Sequence, residues 1–156
     1  MSLQVLMRLA LTVQLIPMAK SDARQLRIEN RSLVRALFLW PVILTVAVFA
    51  GIAPADPANS IFVWLSSRLL ASFFLFLFFL LFYWISGGQM GMGDVKLTAL
   101  AGLYLDLWTF LRVVFVASLT AFLFGLILLI RGRRAGGLVL PFAPFVLLAC
   151  LLTFLG

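Results

Sequence analysis

Five carboxylates are the only acid–base groups of consequence in this chain: Asp22, Glu29, Asp56, Asp94 and Asp106. There is no histidine, so Ser-His-Asp and Cys-His nucleophile systems are excluded. The common zinc sites go with them. Cys150 is the single cysteine, so neither an internal disulfide nor a paired-cysteine metal site can form. It reads as a small packing residue. What remains is chemistry that two carboxylates can perform without metal or cofactor. Two carboxylates held close cannot both ionise easily, so one keeps a proton while the other acts as a base. Such a pair can activate a water against a carbonyl and then protonate the departing nitrogen.

Asp22 and Asp94 are the candidates for that pair. Each lies at or near the end of an apolar run, and ionisable groups at membrane depth are functional by default. Asp94 stands in the segment Gly91-Met92-Gly93-Asp94-Val95-Lys96. Gly91 and Gly93 allow a substrate backbone to approach the carboxylate where a Cβ would obstruct it. The same Asp also suits the first turn of a helix, so Gly-x-Gly-Asp alone is equally well read as a helix start. Lys96, two residues on, points well away from Asp94 on a helix and suits a lipid headgroup. Asp56 and Asp106 read as solvated turn residues, and Glu29 as a loop charge beside nearby arginines.

The elements that must position these residues are transmembrane helices. Of 156 residues, 65% are hydrophobic and 11% charged, against about 45–50% and about 25% in an ordinary soluble domain. The apolar residues fall in long runs near 3–19, 36–53, 61–86, 97–105, 107–130 and 138–154. A crossing needs about 20 such residues. The expectation is an all-α, polytopic bundle of about six transmembrane helices forming one domain over residues 1–156. The first run reads as a retained helix, because Arg8 interrupts it and no clear small-residue cleavage site follows Pro17. The run at 97–105 is short and would borrow residues from Gly93 onward.

The net charge is +7, yet nine of the twelve cations sit in the stretches 20–35, 87–96 and 131–137. That distribution obeys the positive-inside rule and argues against a nucleic-acid partner. With six crossings and the N-terminus outside, all three stretches are expected on the cytoplasmic side, beside acidic lipid headgroups. A multi-pass protein of the cytoplasmic membrane is expected. No feature of the sequence sets its oligomeric state.

Three segments, taken together, resemble the type IV prepilin peptidases, membrane aspartyl proteases of the Gly-x-Gly-Asp type. The segment Asp22 to Asn30 is similar to the family's first-aspartate element, an Asp followed by basic residues and Ile-Pro-Asn. Gly91 to Leu97 is similar to its second-aspartate element. Leu140-Pro141-Phe142-Ala143-Pro144-Phe145 resembles the Pro-Phe-Gly-Pro-Phe element before the last helix. Their order matches over nearly the whole chain. Glu29 stands where the family has proline, and Ala143 where it has glycine. The resemblance implies catalytic roles for Asp22 and Asp94, and roles in substrate approach for Gly91, Gly93, Lys96 and Asn30. It implies no cofactor and no metal. The substrate it implies is a prepilin or pseudopilin precursor, whose basic leader is removed at the membrane. It further implies the short form found with Flp/Tad-type pili and in archaea, without the methylation-associated cysteine domain. The competing classes are a catalytically silent membrane partner for pilus or secretion assembly, and a small transporter relaying protons through Asp22 and Asp94.

Overall fold

The protein was analysed as a computed structural model, which describes residues 3–52, 61–87, 91–131 and 140–155. Among them are six helices: α1 (Leu3–Gln25), α2 (Asn30–Phe49), α3 (Ile61–Ile85), α4 (Met92–Tyr104), α5 (Leu107–Ile130) and α6 (Ala143–Leu155). Four of these, α1, α2, α3 and α5, are long and apolar enough to cross a bilayer. The all-helical membrane architecture expected from composition is therefore present. The turn at Asp56, and most of the basic stretch at 131–137, lie outside the described residues.

The first boundary differs from the sequence expectation. Residues 20–35 read as a long basic loop, but α1 continues through Lys20, Asp22 and Arg24 to Gln25, and α2 already starts at Asn30. Only residues 26–29 link them. Lys, Arg and Gln are good helix formers whatever their polarity, and long cationic stems carry their charge out to the interface. A polar stretch therefore marks where a membrane ends, not where a helix ends. Leu26 does the stopping, with φ at 53° in the left-handed region, which costs a non-glycine residue roughly 1 kcal/mol.

The core forms around α1 and α4. Leu3, Met7, Leu11, Leu15 and Met18 recur every three or four residues on one face of α1 and are fully buried. α4 has 13 residues, a rise of about 20 Å against a hydrocarbon core of about 30 Å. It is enclosed, with Val95, Leu97, Thr98, Leu100, Ala101, Leu103 and Tyr104 all buried. α3 is the opposite case: only Trp64 and Arg68 are buried, and its Phe73, Phe74, Phe78 and Phe82 face outward as lipid-contacting surface.

In lipid, apolar burial gives helices little reason to associate, so packing and polar contacts hold them. Those contacts run along α1 and α4, which are antiparallel. At one end the Arg8 guanidinium pairs with Asp106 at 2.9 Å. Asp106 also caps α5 by accepting from the Thr109 N–H at 2.9 Å. Burial works to raise the proton affinity of Asp106, but the Thr109 N–H and Arg8 outweigh it and hold the carboxyl at about 2. Near mid-bundle the Gln14 amide donates to Tyr104, whose hydroxyl donates to the Ala36 carbonyl at 2.6 Å. The Trp40 indole donates to the Leu103 carbonyl at 2.9 Å. These bonds clamp α4 between α1 and α2, and they determine which groups meet at the far end.

Candidate active site

Asp22 occupies the last turn of α1, and Asp94 the first turn of α4. The two helices are antiparallel neighbours, so residues 72 positions apart in the chain arrive at the same end of the bundle. Both carboxyls are sheltered, Asp22 being 5% exposed and Asp94 partly buried.

A third element completes the site. Asp22 Oδ2 accepts a hydrogen bond from the backbone N–H of Ala143 at 2.9 Å. Ala143 is the first residue of α6 and is fully buried. The start of a helix has unpaired N–H groups and a partial positive charge, so Asp22 caps α6 from 121 positions away while α6 stabilises the negative charge on Asp22. Pro144, in the first turn, fits this start because its missing N–H would have no partner there. Sequence reasoning singled out the segment at 140–145 by resemblance but did not assign it to Asp22. A main-chain donor leaves no side-chain signature. For the same reason alanine at position 143 supplies the contact as well as glycine would.

The two glycines have different neighbours. A Cβ built on Gly91 would lie 3.2 Å from Asp94 Oδ2, whereas one on Gly93 would lie 3.2 Å from Ile28 Cβ. Gly91 is therefore the glycine whose bareness leaves room beside the carboxylate. Gly93 makes room for the 26–29 link, which seats Ile28 on the start of α4. Gly91→Ala is expected to displace the Asp94 carboxyl and lower any Asp94-dependent reaction about tenfold, equivalent to about 1.4 kcal/mol on the barrier. Amount and fold should be unchanged, since Gly91 is exposed. Wild-type turnover in Gly91→Ala, normalised to membrane-inserted protein, would remove this role.

Lys96 and Asn30 meet elsewhere. The Lys96 ammonium donates to Asn30 Oδ1 at 3.1 Å. Two residues along a helix are about 200° apart, so this contact lies across α4 from the Asp22 side. Glu29 is exposed just before α2 and makes no side-chain cap bond. Among the described residues no group of three or more His, Cys, Asp or Glu side chains is placed to hold a metal.

A model of the type IV leader peptidase family matches residues 9–130. The match includes Asp22 and the segment from Gly91 to Lys96, and ends before the segment at 140–145. No curated protein and no solved structure matches the chain.

Proposed function

We propose, from the premise that this chain belongs to the type IV leader peptidase family, that it is an aspartic endopeptidase whose dyad is Asp22 and Asp94. It removes the basic leader of prepilin-like precursors at the cytoplasmic face of the cell membrane. The observation that carries this reading is the placement of Asp22 in the last turn of α1 and Asp94 in the first turn of α4, antiparallel neighbours, with both side chains sheltered.

The division of labour follows from the hydrogen bonds. Burial works against charge on both aspartates, but Asp22 also accepts the Ala143 N–H, a hydrogen bond that favours its charged form, so we assign Asp22 as the general base and Asp94 as the carrier of the proton. Asp22 takes a proton from a water whose oxygen adds to the peptide carbonyl carbon. Asp94 then gives its proton to the nitrogen as the carbon–nitrogen bond breaks. The products are a new carboxylate on the leader and a new amine on the mature chain. Gly91 leaves space for the substrate main chain beside Asp94.

The decisive experiment uses the purified chain in lipid nanodiscs with a precursor that has a basic leader ahead of an apolar helix. Cleavage in ¹⁸O-labelled water should place one heavy oxygen in the new leader carboxyl, and chelators should not slow it. An intact precursor, with the enzyme shown to be folded and the precursor bound, would favour a silent assembly partner.

The same reading sets the topology. With Cys150 replaced, a cysteine introduced at position 24 should stay unlabelled by a membrane-impermeant maleimide in intact cells and react once the membrane is opened. Position 24 lies two residues from Asp22 on α1. Rapid labelling in intact cells would put the dyad on the outer face.

A further inference from the structure

A groove distinct from the dyad opens on the flank of α4. It has a volume of about 470 Å³ and lies between α2 and α3, with α4 as its floor. Leu37 of α2, Phe76 of α3 and Leu103 of α4 line its apolar length. Its polar mouth is the pair Asn30 and Lys96, joined at 3.1 Å. α4 presents Lys96, Leu100 and Leu103 to it, at the i, i+4, i+7 spacing of one helical face. A bilayer cannot leave such a groove empty, so its chemistry identifies what fills it.

We propose that the groove is a site for one anionic phospholipid, with an acyl chain lying along Leu37, Phe76 and Leu103 and the headgroup phosphate on Lys96 and Asn30. The cavity divides as a phospholipid does, apolar over its length and cationic at one end. A lysine ammonium has three N–H groups and Asn30 engages one, leaving donors for a phosphate. The Asn30 amide N–H₂ adds two more. The headgroup bridges the first residue of α2 and the first turns of α4, the segment that holds Asp94. A precursor helix is the other apolar occupant to consider. Its basic leader would meet Lys96 as a like charge, whereas an anionic headgroup meets it as a counterion. That choice against the precursor rests on the proposed function, but the lipid site itself does not require peptidase activity.

Native mass spectrometry of the full chain, released from detergent in the presence of phosphatidylglycerol or phosphatidylcholine, tests the site without an activity readout. One phosphatidylglycerol should be retained about tenfold more strongly than phosphatidylcholine, as expected of one hydrogen bond to a charged group. Lys96→Gln should remove that preference and leave the weaker phosphatidylcholine binding in place. Val34→Trp should reduce both lipids by filling the groove. Val34 and Leu37 line the groove and are about half exposed, so either tolerates a larger side chain, and Leu37→Trp serves as the second blocking variant. Equal retention of the two lipids by the wild-type chain would overturn the proposal. So would phosphatidylglycerol retention unaffected by Lys96→Gln and by both tryptophan variants. A photo-crosslinking amino acid at position 34 should capture lipid, and capture of the precursor helix in its place would assign the groove to substrate.

Discussion

Asp94→Asn and Asp22→Asn are each expected to lower leader removal by at least about 100-fold, the low end of what a positioned acid or base contributes. Asparagine keeps the size and polarity of aspartate but cannot exchange the proton. Asp22→Asn and Asp22→Ala should separate in stability. Asp22→Asn retains an oxygen that can accept from the Ala143 N–H, so α6 stays capped. Asp22→Ala loses that acceptor and leaves a buried N–H unpaired, at a cost of about 1–3 kcal/mol. Asp22→Ala should therefore lose both cleavage and folded protein, whereas Asp22→Asn loses cleavage alone. Glu29→Gln is the matching control: an exposed residue whose loss of charge should leave most activity intact. The rates are to be normalised to membrane-inserted protein for each variant. Substantial cleavage by Asp94→Asn would remove Asp94 from the mechanism, and a Glu29→Gln enzyme without activity would move the first aspartate's role to Glu29.

Gly102→Val should be the most damaging single change away from the dyad, and it should act on folding. A Cβ at Gly102 would lie 2.7 Å from Leu75 Cδ1 and 3.1 Å from Ser72 Cα. The leucine tip can rotate away, but the Ser72 main chain belongs to α3 and can yield only if the helices separate. Their separation would also break the bond from the Ser72 hydroxyl to the Ala99 carbonyl, 2.7 Å long. Overpacking of this kind costs about 1–3 kcal/mol, and valine's branch places it at the upper end. The expected result is a large fall in membrane-inserted protein, with the remaining molecules cutting at close to the normal rate. A normal protein level in Gly102→Val would mean that α3 and α4 need no close approach. The pair Gly91→Ala and Gly102→Val thus separates a glycine that leaves room for chemistry from one that leaves room for a helix.

Much of the candidate site was legible because membrane depth is written in composition. Once apolar runs mark the crossings, Asp22 and Asp94 stand out as carboxylates near run ends, and the Gly91-to-Leu97 segment stands out as a motif. The boundaries were less legible. Lys20, Asp22 and Arg24 look like loop residues by charge, yet the backbone keeps its hydrogen bonds inside α1 through them, since polarity decides which solvent a side chain meets and not whether its helix continues. The glycine assignments also needed coordinates. Read from sequence, Gly91 and Gly93 share one role, but it is Gly91, at the N-cap of α4, that lies beside the carboxylate while Gly93 faces Ile28.

By itself, the sequence determined that this chain is a helical membrane protein without histidine or thiol-pair chemistry, and that its acid–base candidates reduce to a few carboxylates, two of them aspartates near helix ends. Those properties depend on residue type and local spacing, which are linear information. Only the tertiary structure decided that α1 and α4 run antiparallel, so that their ends meet, and that the main chain of α6 donates to Asp22. It also decided that Lys96 turns away to Asn30 at the mouth of a separate groove. Each of these depends on contacts between helices far apart in the chain, made by hydrogen bonds such as Tyr104 to Ala36 and Trp40 to Leu103. Helix–helix packing in lipid rests on such specific contacts and close approaches rather than on apolar pattern, and an apolar pattern that is nearly uniform around each helix does not encode which neighbour it will meet.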